Sequence, residues 1–321
     1  MTWDRPGVGP DAPRSVIRVG TRGSELARTQ CRWFLDRLSE RYPALNIELK
    51  IISTTGDHRT DVPLSKIGGK GLFSKEIDDA LLHGHVGIAV HSLKDLPAEL
   101  VMGLKLSAVP LREDPRDAWI HKAGTSWADA PAGTRIGTGS LRRGCIIRSL
   151  RPDLEVVPIR GNVDTRVRKL NEGDALDAII VATAGLSRLG RAEEITERLD
   201  PTVFVPSPGQ GSLGILSREL DAHMSTLLAG LNHPDSRNAA EAERAFLRIV
   251  EGDCTVPVAA HATVDAGNIH IRCLLGTPDG KQVVTLEKEG FTSMSPQVGE
   301  EAGRELLEAG GAEILQAIRG G

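Results

Sequence analysis

An arginine-rich segment at 135–169 carries the most informative chemistry in this sequence, with nine basic residues against three acidic ones. Within it, GTGSLRR at 137–143 places backbone N–H groups, the Ser140 hydroxyl and the guanidinium groups of Arg142 and Arg143 at a predicted strand-to-helix turn. Such a turn binds anions, and guanidinium groups bind carboxylate or phosphate oxygens in pairs. The segment therefore predicts an anion site. The alternative is a basic face that is merely solvated.

A lysine and an aspartate follow a short apolar run elsewhere in the chain. HSLKD at 91–95 comes directly after 87–90, where a strand is predicted to end. Ligands of open α/β sheets bind at the carboxyl ends of strands, so Lys94 and Asp95 are candidate site residues. A salt-bridged surface turn is the alternative interpretation.

Cys254 lies in the turn-rich sequence EGDCTVP at 251–257, between a predicted helix and a predicted strand. Most isolated cysteines are small core residues, but a cysteine in a glycine-containing turn is a candidate nucleophile or attachment point. No two of the four cysteines have CxxC spacing, and no His lies at metal-finger spacing from any of them. The sequence therefore predicts no metal site.

Two glycine motifs match nucleotide-binding loops only in part. GQGSLG at 209–214 fits GxGxxG, but Pro206 and Pro208 precede it where a central strand would have to end, which favours a hinge or tight turn. GGKG at 68–71 lacks the other residues of a phosphate loop. It lies in the glycine-rich stretch 54–75, which predicts a lid loop that closes over an anionic ligand.

Length and composition limit the classes of protein. The chain has 321 residues, of which 40% are apolar, 26% charged and 3% aromatic, with a net charge of −4. These values predict a globular protein of two or three domains, without a general affinity for nucleic acid or anionic membranes. No run of 18 apolar residues and no apolar signal-peptide region occurs. We expect a cytoplasmic protein that does not contact the membrane.

The elements that must position these residues alternate between strand and helix from residue 16 onward, which predicts α/β units with mostly parallel sheets. Predicted strands lie at 16–19, 47–52, 88–90, 104–109, 135–136, 155–158, 178–181, 256–264, 269–275 and 283–286. Predicted helices lie at 24–38 with Ser24 as N-cap, 74–82, 141–150, 162–171, 238–250 and 296–318. The expected units are a disordered arm at 1–14, domain 1 at 15–111 and 210–230, domain 2 at 115–205, and an α+β domain 3 at 235–321.

Nine short segments, in this order along the chain, resemble the porphobilinogen deaminase (hydroxymethylbilane synthase) family, and the resemblance spans nearly all of 16–318. They are TRGS at 21–24, KIGGKGLF at 66–73, HSLKD at 91–95, REDPRD at 112–117, GTGSLRR at 137–143, RGNV at 160–163, AGL at 184–186, PGQG at 208–211 and GDCTVP at 252–257. Their order makes coincidence a poor explanation.

The resemblance implies two periplasmic-binding-protein-like α/β domains around a cleft, and a small third domain that carries the cofactor cysteine. Cys254 matches the thiol that holds dipyrromethane through a thioether, and Asp95 matches the catalytic aspartate. The residues that match cofactor-binding positions are Lys94, Asp95, Ser140, Arg142 and Arg143. Those that match substrate-binding positions are Arg22, Ser24, Lys66, Lys70, Phe73, Arg160, Arg166, Arg188 and Gln210.

The family condenses four porphobilinogen molecules head to tail, with release of ammonia at each step, into hydroxymethylbilane. Each added pyrrole brings two more carboxylates, which suits the arginines of 135–169. Loss of ammonia leaves an azafulvenium cation, which a carboxylate such as Asp95 can stabilise. The implied protein is a monomeric, cytoplasmic transferase of porphyrin, tetrapyrrole and haem biosynthesis that uses no metal and binds no nucleic acid.

Two positions depart from the family pattern, and two other classes of function stay open. Gly139 stands where a second Ser is common, and Asp253 stands where Gly is common; an acid beside Cys254 disfavours the thiolate and so bears on cofactor loading. One rival is a non-enzymatic protein that holds a carboxylate solute in the same cleft, although it would have no use for Cys254. The other is a nucleic-acid binder built on the arginines, which the acidic total and scarce aromatic residues disfavour.

Overall fold

The computed structural model describes residues 16–54, 74–250 and 256–320. Numbered in chain order, the strands are β1 (Ile17–Arg22), β2 (Ile47–Ile52), β3 (Ile88–Ser92), β4 (Leu104–Ala108), β5 (Asp117–His121), β6 (Arg135–Gly137), β7 (Glu155–Val157), β8 (Ala178–Ala182), β9 (Glu197–Arg198), β10 (Leu213–Arg218), β11 (Val258–Asp265), β12 (Asn268–Gly276) and β13 (Val283–Phe291). The α-helices are α1 (Glu25–Arg41), α2 (Lys75–Leu82), α3 (Leu141–Leu150), α4 (Val163–Glu172), α5 (Thr183–Arg188), α6 (Ala222–Ala229), α7 (Pro234–Ile249), α8 (Ser295–Leu306) and α9 (Ala312–Gly320).

Two five-stranded sheets form the α/β part of the molecule. The first has the order β2-β1-β3-β10-β4 and the second the order β7-β6-β8-β5-β9. β1 and β6 pair in parallel with both of their neighbours, whereas β10 and β5 each run antiparallel to both of theirs. Since β10 follows the second sheet in sequence, the chain crosses between the sheets twice, before β5 and before β10. The predicted α/β class is confirmed, but the sheets are mixed rather than mostly parallel, because two of the four strand pairs in each sheet are antiparallel.

A third, antiparallel sheet of order β11-β12-β13 belongs to the C-terminal part of the chain. Its buried face and the helices α7 and α8 enclose a separate apolar core that includes Phe246, Ile271 and Ala302. The two helices approach closely, because a Cβ atom at Gly299 would lie 2.0 Å from the carbonyl oxygen of Ala242. The predicted small α+β domain is therefore present, and the residue boundaries of the domains stay predictions.

Helix prediction succeeded where capping and periodicity agreed. α1 begins after Ser24, whose hydroxyl accepts a hydrogen bond from the N–H of Ala27 at 3.3 Å, as the sequence predicts. α3 has the predicted bounds. The single helix predicted at 296–318 is wrong: the chain has a wide turn at Leu307–Gly311, where Gly310 adopts a φ of 111°, and α9 begins after it. A glycine accepts that left-handed backbone without the strain of a side chain.

Three strands were not predicted: β5 and β10, which lie inside their sheets, and the two-residue edge strand β9. β5 is five residues long and begins two residues after Pro115, and β10 begins at Leu213, within the glycine motif at 209–214. The favoured tight turn at that motif is present at its start, because Gly209 and Gly211 adopt φ values of 74° and 87°. A dinucleotide-binding motif comes directly after a strand. Here β10 begins only at Leu213, after the first glycines of the motif, so the motif does not have the arrangement that dinucleotide binding requires.

Several predicted features fall outside the described residues. They are the arm at 1–14, almost all of the lid at 54–75, and the site residues Lys66, Lys70, Phe73 and Cys254, together with Asp253. Across the ranges that are described, no helix combines the length and apolar character needed to cross a bilayer.

Candidate active site

The predicted anion-binding turn and the candidate site turn at 91–95 both lie at strand ends, one in each α/β sheet. Leu93–Asp95 forms a short 3-10 turn directly after β3 and so carries Lys94 and Asp95. In the second sheet, Ser140 caps α3 shortly after β6, and its hydroxyl accepts from the N–H of Arg143 at 3.4 Å. Both turns therefore lie where a doubly wound sheet is expected to bind its ligand.

A fully buried carboxylate, that of Asp117 at the start of β5, holds the arginine pair of α3. Its Oδ1 accepts from Nη2 of Arg143 at 2.7 Å and from Nη2 of Arg142 at 3.2 Å, and its Oδ2 lies 2.8 Å from Nη1 of Arg142. Burial raises the pKa of the Asp117 carboxyl, but the two guanidinium groups outweigh it and hold that pKa well below its usual range. Asp117 is thus a permanent negative charge beneath both arginines.

The side chain of Gln210 connects this pair to the first sheet. Its Nε2 donates to Oδ1 of Asp117 at 2.8 Å and to the carbonyl oxygen of Pro115 at 2.7 Å. Its Oε1 accepts from Nζ of Lys94 at 3.3 Å and lies 3.5 Å from Nη2 of Arg143. Four predicted site residues, Lys94, Arg142, Arg143 and Gln210, are therefore brought together. Lys94 and Asp95 are both exposed on their turn, as the surface-turn alternative expects, but Lys94 also donates to Gln210.

Positive charge is in excess around this point. Solvent reaches the Lys94 side chain, yet the surrounding protein desolvates its ammonium group and, with the nearby Arg143, lowers its pKa to about 8. Desolvation and the neighbouring Arg143 and Arg160 lower the pKa of Arg166 to about 10, while Asp95 acts in the opposite direction. We call the whole group the interdomain site; its members are Lys94, Asp95, Asp117, Arg142, Arg143, Arg160, Arg166 and Gln210. A polyanionic ligand would relieve this repulsion.

Three other predicted residues, Arg188, Ser24 and Arg22, each make a different contact. Arg188 on α5 donates from Nη2 to the carbonyl oxygen of Gly211 at 2.7 Å. Ser24 caps α1 with its hydroxyl. Arg22 lies near enough to His91 that burial and the Arg22 charge together lower the pKa of that imidazole to about 4. Arg188 thus borders the turn that carries Gln210, Arg22 is the last residue of β1, and Ser24 lies between β1 and α1.

The arginine-rich segment divides into buried and surface members. Arg142 and Arg143 are each 5% exposed, which excludes a solvated face for these two. By contrast, Arg151 pairs with Asp153 on the surface, and Arg168 is mostly exposed. The alternative of a solvated basic face is therefore correct for part of 135–169 and wrong for the part that binds Asp117.

Gly139, one of the two departures from the family pattern, packs closely against the backbone at Ile159, in the loop that follows β7. A Cβ atom at this position would lie 2.7 Å from the carbonyl oxygen of Ile159. Glycine therefore lets the anion-binding turn approach that loop more closely than a side chain would allow.

A second buried carboxylate, Glu243 of α7, holds the turn that carries Gln210. Its Oε1 accepts from Nη1 of Arg112 at 2.7 Å and from the N–H of Ala262 at 2.8 Å, and its Oε2 accepts from the N–H of Gly209 at 2.6 Å. The C-terminal domain thus fixes the crossover segments of the α/β domains. Sequence reasoning missed both Glu243 and Asp117; a charged residue next to an apolar run was the available signal.

We expect Glu243→Gln to destabilise the fold by about 3–5 kcal/mol, because it leaves the Arg112 guanidinium without its buried charge partner. The free energy of unfolding in urea measures this. Glu241→Gln is the matched control on the same helix: its pair with Arg237 is partly solvated, so a change below about 1 kcal/mol is expected. Equal effects of the two substitutions would contradict the structural role of Glu243.

A cavity of about 530 Å³ opens between α1 and α4, but it contains none of the predicted site residues. Its lining is made of Glu25, Asn162, Asp164, Thr165, Arg168, Asn171, Glu172 and Arg191. Arg191 is already paired with Asp164 at 2.9 Å. Among the described residues, this cavity is therefore separate from the interdomain site.

Neither a metal centre nor a reactive thiol occurs among the residues described. No group of three or more His, Cys, Asp or Glu side chains in those ranges is arranged to hold a metal ion. Cys31, Cys145 and Cys273 are buried free thiols, and burial raises the pKa of Cys31 to about 12 and that of Cys145 to about 11. Thiols of this kind are poor nucleophiles at neutral pH.

Fold and site together define an α/β protein with a cluster of basic side chains between its two larger sheets and the Asp95 carboxylate beside that cluster. Family models match most of the chain: "Porphobilinogen deaminase, dipyromethane cofactor binding domain" at residues 17–226 and "Porphobilinogen deaminase, C-terminal domain" at residues 238–308. The chain is 47% identical over 303 residues to a porphobilinogen deaminase of Syntrophobacter fumaroxidans, which covers 94% of this chain and 98% of the relative. It is 48% identical over 307 residues to that of Syntrophomonas wolfei, which covers 94% and 99%.

The chain belongs to the porphobilinogen deaminase family. It is a transferase, a hydroxymethylbilane synthase, with a domain that binds dipyrromethane. Similar solved structures include CbnR, a LysR family transcriptional regulator (TM-score 0.42, 11% identity, 70% of each chain). Another is the periplasmic aliphatic sulphonate binding protein of Escherichia coli (TM-score 0.40, 14% identity, 74% of this chain and 70% of that one). At these scores the likenesses carry no functional argument.

Proposed function

We propose that the chain elongates a dipyrromethane primer, attached to Cys254 through a thioether, and that Asp95 is its catalytic residue. The observation that carries this proposal is the position of Asp95, which interacts electrostatically with Lys94 and Arg166 beside the Asp117-bound arginine pair. A carboxylate next to several cations is suited to a substrate that has both carboxylates and an amine that leaves.

The residues present fit a dipyrromethane group. Its two pyrroles carry four carboxylates, and the interdomain site has five basic side chains, those of Lys94, Arg142, Arg143, Arg160 and Arg166, against two acidic ones. The Nε–H groups of Arg142 and Arg143 are buried and have no hydrogen-bond partner within the described ranges, so each guanidinium group keeps a donor that the protein itself does not satisfy. When bound, the group supplies the terminal pyrrole carbon to which each new unit is joined.

Asp95 has two tasks in each condensation. As the carbon–nitrogen bond of the substrate breaks and ammonia leaves, the Asp95 carboxylate stabilises the positive charge that develops on the remaining methylene pyrrole. The new carbon–carbon bond then forms, and the proton lost from the terminal pyrrole carbon is taken up within the site, with Asp95 as the acceptor. Because Asp95 is open to solvent, it can release that proton before the next cycle.

The remaining predicted site residues bind the side chains of the substrate and of the growing chain. By their match to the family, we assign carboxylate binding to Arg22, Ser24, Lys66, Lys70, Arg160, Arg166 and Arg188, and contact with the pyrrole to Phe73. Gln210 also matches a substrate-binding position, but both of its amide N–H groups already donate to Pro115 and Asp117, so we assign it a role through Lys94, which donates to its amide oxygen. We also propose that the protein is a cytoplasmic monomer that supplies the linear tetrapyrrole for haem, and that it binds no nucleic acid. The elution volume on size exclusion tests the monomer.

Arginine substitutions test the assignment by the stage at which elongation stops. Arg142→Leu and Arg143→Leu are expected to accumulate as protein without cofactor, because these residues lie at the capped turn. Arg160→Leu and Arg166→Leu are expected instead to accumulate partly elongated protein. A charged hydrogen bond contributes about 1.5–3 kcal/mol, so each loss should change a rate about ten- to a hundredfold. Intact mass after limited porphobilinogen resolves the pyrrole-sized steps.

Arg168→Leu is the matched control, since Arg168 shares α4 with Arg166 but its side chain is 64% exposed. After limited porphobilinogen, this variant should show the same series of pyrrole-sized mass steps as the protein without a substitution. A DNA-binding titration at two salt concentrations accompanies the masses, because phosphate contacts would weaken steeply with salt. Salt-sensitive DNA binding with no pyrrole-sized steps in any variant would refute the proposed function in favour of nucleic-acid binding.

A further inference from the structure

Asp117 takes no part in the reaction as proposed above, yet it touches three residues assigned to ligand binding. We propose that Asp117 is a positioning residue: its carboxylate fixes Arg142, Arg143 and the Gln210 amide in the arrangement that receives the primer's carboxylates. The inference rests on the proposed function of these three residues.

Asp117 fixes the orientation of both guanidinium groups. Each arginine is held at two points, by the Asp117 carboxylate and by a main-chain carbonyl: Nη1 of Arg142 donates to Val205 at 2.7 Å, and Nη1 of Arg143 donates to Ile180 at 3.1 Å. A planar group held at two points cannot rotate, so its remaining N–H directions are set before a ligand arrives. Such preorganisation is what a site for carboxylates needs.

Asp117 also decides which end of the Gln210 amide faces Lys94. The Nε2 end meets two groups that can only accept, the Asp117 carboxylate and the Pro115 carbonyl, so an oxygen could not replace it there. The amide oxygen must therefore point away and accept from Nζ of Lys94. A carboxylate of the second sheet thus orients a lysine of the first.

The charge of Asp117 acts on Lys94 through space as well. Burial and the neighbouring Arg143 and Arg142 lower the pKa of Lys94 to about 8, while Asp95 and Asp117 oppose that shift. Removing the negative charge of Asp117 should therefore lower the pKa of Lys94 further, so that less of the ammonium form is present at neutral pH. Lys94 would then bind a carboxylate less well.

A purely structural ion pair would behave differently from a positioning residue. If Asp117 formed only a structural ion pair, replacing it would change the free energy of unfolding. The rate of cofactor loading and the pKa of Lys94 would stay as they are in the protein without a substitution. The test therefore measures loading and titration in protein that has been shown to be folded by circular dichroism.

The experiment uses the full chain made in cells that cannot produce porphobilinogen, as Asp117→Asn, Asp117→Glu and the unmodified protein. Porphobilinogen is added, and the gain of two pyrrole units is followed by intact mass. In parallel, competitive acetylation across pH, read by peptide mass, gives the titration of Lys94 without any cofactor. Asp177→Asn is the matched control, because Asp177 also pairs with an arginine of the second sheet, Arg135, but at the surface.

We expect Asp117→Asn to load at least about tenfold more slowly than the control, and its Lys94 to titrate at lower pH. Asp117→Glu keeps the charge, so its Lys94 should titrate as in the unmodified chain and its loading rate should lie between the two. Unchanged loading and titration in folded Asp117→Asn would overturn the inference. If that variant does not fold, Asp117→Glu decides: slowed loading supports positioning, and loading at the rate of the Asp177→Asn control overturns it.

The two proposals fail in different ways. If the unmodified chain gains no pyrrole units, the proposed function of the site is wrong whatever Asp117 does. If the unmodified chain loads while folded Asp117→Asn loads equally fast with an unshifted Lys94 titration, the function stands and the positioning role is wrong.

Discussion

Asp95→Asn is expected to lower the rate of tetrapyrrole formation by a factor of about 10²–10³, the usual effect of losing one preorganised electrostatic group. Asparagine has the same shape and still forms hydrogen bonds, but it cannot neutralise the charge that develops as ammonia leaves or accept the pyrrole proton. Since Asp95 is exposed, the fold should be unaffected. The rate is measured on protein whose loaded state has been verified by intact mass.

Asp95→Glu provides the comparison, because it keeps the charge and moves it by one methylene group. We expect it to retain more activity than Asp95→Asn. Asp129→Asn, in a surface turn where Asp129 bonds to Ser126, is the control for an unrelated loss of charge and should react at the normal rate. Turnover of Asp95→Asn at the normal rate would mean that another acid performs the chemistry.

Local sequence signals identified most elements of the fold because those elements depend on local interactions. A capping serine and periodic apolar residues specify α1, and the alternation of apolar and charged residues at 47–51 specifies β2, whose bounds agree with the prediction. β5 and β10 are different, because each is a strand whose partners lie far away in sequence and run antiparallel to it. Neither has a local turn signal that would reveal this pairing. The adjacent glycines at 310 and 311 carried a signal that the predicted single helix ignored.

The site was predicted from side chains that face a ligand, and what the sequence could not provide was their support. Lys94, Arg143 and Asp117 all lie within quoted motifs, but only the two basic residues are of a type that binds anions, so the motif that contains Asp117 did not reveal its role. Asp117 and Glu243 act through contacts between residues distant in sequence, with Gln210 93 positions from Asp117 and Gly209 34 positions from Glu243. A buried carboxylate is stable only when several donors surround it, and those donors become visible only in three dimensions.

Cys254→Ala is expected to abolish the reaction and to remove the additional mass of two condensed pyrroles, because the proposed thioether has no sulfur to form on. The purified protein without any substitution should be heavier than its sequence mass by that amount and should colour with an aldehyde reagent for pyrroles. Both signals should vanish in Cys254→Ala, and added porphobilinogen should not restore them. Intact mass and the colour reaction measure the effect without an activity assay.

The three other cysteines supply the controls, since a thiol that is buried and hard to ionise should not hold a cofactor. Cys31→Ala, Cys145→Ala and Cys273→Ala should each keep the added mass and the colour. Cys145→Ala should in addition lower the melting temperature, because the Cys145 sulfur fills the space beside Gly276 of β12, where an added Cβ would lie 2.5 Å from it. If the protein without a substitution, made in cells that produce porphobilinogen, has only its sequence mass, then Cys254 is not the attachment point. The same conclusion follows if Cys254→Ala keeps the added mass and one of these three variants loses it.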